Sequence, residues 1–423
     1  MSLFPFSHAE KRYADFGIDI SESIQKLKQI PLSLHCWQGD DITGFDQSAQ
    51  SLTGGIQVTG SYPYKARNFD ELSCDIRKAF SFIPGSHRLN LHASYTVFPS
   101  GKWVDRDSIQ PEHFIPWLHF AKEQGIGLDL NPTFFSHKLS DGMTLSHVQE
   151  RIRLFWVRHA IACRRISAFF AQELDTYSLL NIWVPDGCKN PPADRMSPRL
   201  LLKESLDMIY AEKLEGVIDS VEGKLFGIGL ESYTVGSHEF YLSYAASHSG
   251  VYPLLDSGHF HPTETIGDKI ASLLCFFDKI PLHISHGIRW DSDHIARFND
   301  DTRDIFSIIA CHNALDKTYI GMDFFDASVN RIAAWVMGAR NIYKAMLYAL
   351  LTPHKRFSEL QNSGKDTELL VLQEELKTLP FGTVWEAFCQ ECNVPPTDEW
   401  LKTILTYETE TLEKRQERMD PAK

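Results

Sequence analysis

Along this chain, short runs dense in Leu, Ile and Val alternate with longer stretches whose apolar residues recur every three or four positions. The first pattern reads as strand, the second as one face of a helix. Eight runs qualify as strands: Leu32–Trp37, Arg88–Ser94, Gly127–Asn131, Leu179–Val184, Val217–Lys224, Tyr252–Asp256, Leu282–Ile288 and Tyr319–Phe324. Most lack clean polar alternation, as expected of strands buried on both faces of a parallel sheet. Helical periodicity fills most of the intervals, as in Leu145–Leu174, Pro198–Lys213, Thr265–Asp278 and Thr302–Asn313. Strand alternating with helix in this way predicts an α/β fold, the (β/α)8 TIM barrel. Residues 1–30 add an N-terminal helix, the barrel takes 31–350, and 351–423 form a helical extension that packs on the barrel or on another subunit. Beyond Arg331 the helical stretches are Ala333–Leu351, Glu359–Leu379, Thr383–Cys392 and Glu399–Arg418.

Polar and ionisable residues gather at the C-terminal ends of these strands: His35, His92, Asn131, Asp186, Glu222 with Lys224, Asp256 with His259, Asp291 with Asp293, and Asp323. Reactive centres of such barrels lie at that face. His283 is the exception, because it opens its strand as drawn. The Gly-rich stretch from Ser51 to Asn68 follows the first strand and reads either as a mobile lid or as a static surface loop.

Composition narrows the function. With 423 residues and 43% hydrophobic content, a large core is available. The net charge of −13 argues against nucleic acid as a partner. No apolar stretch approaches the length of a membrane span, and the first residues lack a secretory pattern, so a cytoplasmic location is expected. The eight cysteines are scattered, and the lone Cys389-Gln-Glu-Cys392 reads as a helix carrying two thiols.

Candidate chemistry concentrates between Glu222 and Asp323. Glu222-Gly-Lys224 is a two-residue step that on a strand would aim a carboxylate and an ammonium the same way; a surface ion pair is the alternative. Asp291-Ser-Asp293 repeats the step with two carboxylates, which calls for a cation unless the pair is a solvated turn cap. His259 and His261 straddle Phe260, and only one need be a ligand. Glu222, Asp256, Asp291, Asp293 and Asp323 together carry five negative charges, and His259 and His283 add neutral nitrogens. Two divalent cations plus Lys224 would balance that charge. Mixed oxygen and nitrogen ligands suit Mn2+, Co2+ or Zn2+. Such a pair could grip sugar hydroxyls and polarise a carbonyl, the needs of hydrogen transfer between C1 and C2 of an open-chain sugar. Trp37, Phe134, Phe135 and Trp183 would line the sugar, or serve as ordinary packing. Competing readings are a metal-dependent hydrolase, Schiff-base chemistry at Lys224, and a non-catalytic sugar-binding protein.

The strings His35-Cys-Trp-Gln-Gly-Asp-Asp41, Ser51-Leu-Thr-Gly-Gly-Ile-Gln57, Lys65-Ala-Arg-Asn68, Asn90-Leu-His-Ala93, Asn181-Ile-Trp-Val-Pro-Asp-Gly187, Lys224-Leu-Phe-Gly-Ile-Gly229, Glu231-Ser-Tyr-Thr-Val-Gly-Ser237, Gly258-His-Phe-His-Pro-Thr-Glu264, Arg289-Trp-Asp-Ser-Asp-His294 and Asp323-Phe-Phe-Asp-Ala-Ser328 resemble L-rhamnose isomerases over nearly the full length. The resemblance implies a dinuclear enzyme converting L-rhamnose to L-rhamnulose by a hydride shift, the first step of rhamnose catabolism. It implies a structural metal held by Glu222, Asp256, His283 and Asp323. A catalytic metal would be held by His259, Asp291 and Asp293, with Asp256 as a candidate bridge. Lys224 would stand beside the substrate carbonyl, and His92 would position the sugar. Manganese, a cytoplasmic location and a homotetramer are the family's usual properties.

Overall fold

The computed structural model describes residues 5–46, 60–98, 101–140, 142–224, 232–288 and 291–417, with backbone alone at 288, 291–293, 416 and 417. Eight parallel strands close into a barrel: β1 (Pro31–His35), β2 (Ser86–His92), β3 (Gly127–Asn131), β4 (Ser178–Ile182), β5 (Val217–Glu222), β6 (Val251–Asp256), β7 (Ile280–Ile284) and β8 (Thr318–Met322). β8 pairs back onto β1 through Leu32 opposite Ile320. The expected architecture is present, with corrections at its boundaries.

Several strands stop short of the apolar runs. β1 is last paired with β2 at His35, and the chain then enters a tight turn, Cys36–Gly39, so Trp37 lies beyond the strand. Hydrophobicity continues past the last ladder bond because the turn is itself buried, which is why the run overshoots. Likewise β5 ends at Glu222, and Lys224 follows Gly223 outside the sheet. The seventh strand needs the largest correction. It spans Ile280–Ile284, so His283 lies near its C-terminal end after all. Residues His286–Ile288 belong instead to an antiparallel hairpin with Asp291–His294. The N-terminal segment is two helices, Phe6–Ala14 and Ile20–Gln29. Gly17, with φ of +77°, breaks them apart, and the Asp19 side chain caps the second. The stretch Glu359–Leu379 is likewise divided, into His354–Asn362 and Asp366–Leu376, at left-handed Gly364.

Side chains alternate across each strand, so one set faces the surrounding helices and the other the lumen. On β5, Val221 joins the main core and Asp219 pairs with Arg164 of the helix Glu150–Glu173. Ile218 instead joins a small separate cluster with Leu179 and Leu254, inside the barrel. The inward positions are often polar: Ser33 of β1 donates to Asp129 of β3 at 2.6 Å, a bond between non-adjacent strands that can only cross the lumen. The alternation missing from the sequence therefore exists; it is masked because both faces are buried.

The floor of the lumen is closed by charge. Arg88 of β2 donates to Asp129 Oδ1 at 2.8 Å and lies 3.7 Å from the Tyr177 ring centroid. Leu179 N–H donates to the same carboxylate at 2.9 Å.

Candidate metal centre at the barrel mouth

The other end of the lumen divides into two halves. The ends of β5 to β8 carry Glu222, Asp256, His283 and Asp323, and one ligand atom from each falls within 4.8 Å of all the others. The ends of β1 to β4 carry rings. Trp37 meets His92 edge-on at 4.8 Å between centroids, His92 meets Phe135 at 5.5 Å, and Phe135 meets Trp183 at 6.2 Å. These four continue in strand order around the mouth as an aromatic arc. Phe134 points the other way, into the core against Trp156 and His159.

Strand alternation explains the cluster. Glu222 and Asp256 close their strands at inward positions, His283 sits one residue from the end of β7, and Asp323 directly follows β8. His283 Nδ1 lies 3.3 Å from both Glu222 Oε2 and Asp323 Oδ2. His259, in the turn after β6, places Nδ1 2.8 Å from Glu222 Oε1 and Nε2 3.9 Å from Asp256 Oδ2. None of these approaches has hydrogen-bond geometry. Both ring nitrogens of His283 and Nδ1 of His259 are buried with no hydrogen-bond partner among the described residues. Buried polar atoms are normally satisfied, so carboxylates and imidazole nitrogens that converge without completed bonds mark a place for a cation. Three carboxylates and an imidazole fit a divalent ion of the Mn2+, Co2+ or Zn2+ kind.

Electrostatics agree. Burial pushes the Asp256 carboxyl up to about 7, against the pull of His259 and with added repulsion from Glu222 and Asp323. Burial also works against the Glu222 charge, yet the imidazoles of His259 and His283 hold that carboxyl far below its usual range. His283 is raised well above an ordinary histidine, because Asp323 and Glu222 overcome the effect of burial. Crowded acids thus use the imidazoles as partial cations.

The remaining expected residues fall as follows. Lys224 is half-buried; burial and its ammonium both work against protonation of His259, yet Asp256 and Glu222 hold that imidazole above the ordinary histidine range. Trp37 donates through Nε1 to Asp323 Oδ1 at 3.0 Å, which ties the arc to the cluster. Asp291 and Asp293 have their backbone in the hairpin after β7, and their side chains lie outside the described residues. So does 51–59 of the Gly-rich stretch. Asp186 is not with the cluster; it accepts from the backbone and hydroxyls of Thr144 and Ser146. His35 binds the Phe324 carbonyl at the β1–β8 seam. Cys389 is buried near the end of the helix Phe381–Glu391, its thiol pushed up to about 12 by burial, and Cys392 directly follows that helix.

Sequence reasoning missed the supports. Asn181 Nδ2 donates to Glu222 Oε2 at 2.5 Å, and its own Oδ1 accepts from Ser220 at 3.2 Å. Gly258 N–H and the Ser285 hydroxyl donate to Asp256 Oδ1 at 2.7 and 3.3 Å. A lone Asn or Ser near a strand end carries no signal of this kind until the partner strand is known.

The model of the L-rhamnose isomerase (RhaA) family matches residues 4–415. The chain belongs to the L-rhamnose isomerase family. An L-rhamnose isomerase of Citrobacter koseri is 52% identical over 410 residues, covering 96% of this chain and 97% of that relative. One from Escherichia coli O127:H6 matches at the same identity and coverage. Among solved structures, a xylose isomerase domain protein from Alicyclobacillus acidocaldarius aligns with a TM-score of 0.45 at 12% identity, covering 76% of this chain and 99% of that one. That likeness is too weak to add to the strand topology. No helix among the described residues is long and apolar enough to cross a membrane.

Proposed function

We propose that this chain interconverts L-rhamnose and L-rhamnulose with two bound divalent cations, manganese being the expected ion, as the first step of rhamnose catabolism. The observation that carries the reading is the divided mouth of a family member: ligand-type side chains on four consecutive strand ends, facing an aromatic arc on the other four. Glu222, Asp256, His283 and Asp323 would hold one ion. His259, next to Glu222, would hold the second together with Asp291 and Asp293. Cations bound there supply Lewis-acid polarisation of substrate oxygens and lower the pKa of a hydroxyl.

The protein's own groups set the rest. Lys224 would donate to the carbonyl oxygen at C1. The rings of Trp37, Phe135 and Trp183 would cover the apolar face of the sugar and keep water away from C1 and C2, which favours direct hydride transfer over exchange with solvent. His92 would hold an oxygen at the far end of the sugar.

Ketose formation from L-rhamnose, assayed as purified, after chelation and after Mn2+ is restored, tests this. Activity lost on chelation and regained with Mn2+, at two ions per chain, is the expected outcome. No ketose with any divalent cation would refute it. In deuterated water, little solvent label should enter at C1; extensive labelling would replace the hydride shift by a proton-transfer route.

A further inference from the structure

Thr133 follows β3 and is held at every polar atom. Its N–H donates to His159 Nε2 at 2.9 Å, and its carbonyl accepts from Arg106 Nη1 at 2.9 Å. Its hydroxyl oxygen accepts from the Ser94 N–H at 3.1 Å and lies 3.1 Å from Nδ1 of His92. His159 completes the frame: Nε2 accepts from Thr133, so the proton is on Nδ1, which donates to the Arg106 carbonyl at 2.9 Å. The two donors that reach Thr133 from Ser94 and Arg106 leave it no freedom to turn away.

The Thr133 side chain is fully buried. A hydroxyl has one hydrogen, and a buried one needs an acceptor. The Ser94 N–H is a donor. Among the described residues the acceptor bonded to that hydroxyl is His92 Nδ1. Were Nδ1 protonated, the hydroxyl would receive two donors and its own hydrogen would be buried without a partner. Burial also holds the His92 ring neutral, with its pKa pushed down to about 3. A neutral imidazole has one N–H, and a hydrogen bond at one nitrogen decides which nitrogen carries it.

We propose that Thr133 locks His92 in the tautomer protonated at Nε2, so that His92 presents a donor and not a base to the barrel mouth. Thr133 is then a positioning residue. Resting on the sugar-isomerase reading, His92 binds a substrate oxygen by donation and takes no proton in the reaction. The Trp37 and Phe135 rings that flank His92 edge-on fix the direction of that N–H.

The test is 15N NMR of histidine-labelled protein without sugar, with the His92 signals identified by their loss in His92→Gln. Wild type and Thr133→Ser should show an unprotonated Nδ1 and a protonated Nε2 across neutral pH. Thr133→Val, which keeps the shape and removes the hydroxyl, should show mixed tautomers. It should also lower kcat/KM for L-rhamnose roughly 10–100-fold, with Thr133→Ser close to wild type. A proton on Nδ1 in the wild type would overturn the proposal, and that spectrum decides even if Thr133→Val does not fold. Wild-type nitrogen shifts in a folded Thr133→Val would overturn it too. The spectrum needs no substrate, so failure of the isomerase assay and failure of the tautomer assignment are read separately.

Discussion

Buried charge gathers at both ends of the barrel lumen, and the two ends handle it in opposite ways. At the floor, Asp129 meets a cation and several donors. Arg88 donates to it twice over, Ser33 closes its other oxygen and Leu179 N–H adds a further bond. The guanidinium also reaches the Tyr177 carbonyl and rests on the Tyr177 ring. At the mouth, Glu222, Asp256 and Asp323 crowd together around imidazoles whose nitrogens lie near carboxylates without bonding them. Charge neutralised inside the protein is architecture; charge left convergent and short of positive partners is a binding site. Low local dielectric strengthens both outcomes, since it rewards the completed pair and penalises the incomplete one.

The sharpest way to break this contrast is Glu222→Gln, which keeps size and removes the charge shared with His259 and His283. Ketose formation should fall roughly a thousandfold or more, equivalent to about 4 kcal/mol of transition-state stabilisation, with one metal ion lost per chain and an unchanged circular dichroism spectrum. Normal metal content and turnover would mean that the mouth is as self-contained as the floor. Arg88→Met attacks the opposite end. Leaving Asp129 buried without its cation should cost about 3–5 kcal/mol in urea unfolding, while the folded fraction keeps its activity. Loss of activity without loss of stability would show that the floor belongs to the chemistry. The smallest effect is expected from Asn181→Ala, which leaves Glu222 in place and removes the donor that orients it. Metal affinity by calorimetry should weaken roughly 10–100-fold, and unaltered affinity would reduce Asn181 to a packing role.

Much of this was legible beforehand. All eight strands are readable as apolar runs, and the run Gly127–Asn131 coincides with β3 to the residue. Glu222, Asp256 and Asp323 stand out as ligand types near C-terminal strand ends and His283 as a ligand type at the opening of its strand, and the structure brings all four together. What misled was the boundary of the seventh strand, where Ile280-Pro281 opens the strand and His286–Ile288 leaves the barrel for a hairpin. A strand reading of Glu222-Gly-Lys224 also carried alternation past the end of the sheet. Asn181, Ser220, Ser285 and Thr133 give no warning, because a single polar residue on or just past a strand means nothing until its partner on the neighbouring strand is known.

The amino-acid order by itself determined the succession of strands and helices, because burial on two faces and burial on one stripe leave different periodicities. It also determined family membership, through long and uncommon strings. Only the closed barrel decided which polar residues matter together. Trp37 bonds Asp323 across 286 positions of chain because β8 returns to pair with β1. Ring closure turns the C-terminal ends of separate strands into one rim, and the lumen removes water from the charges collected there. Distance across that rim, which no linear pattern contains, separates the satisfied pair at the floor from the unsatisfied cluster at the mouth.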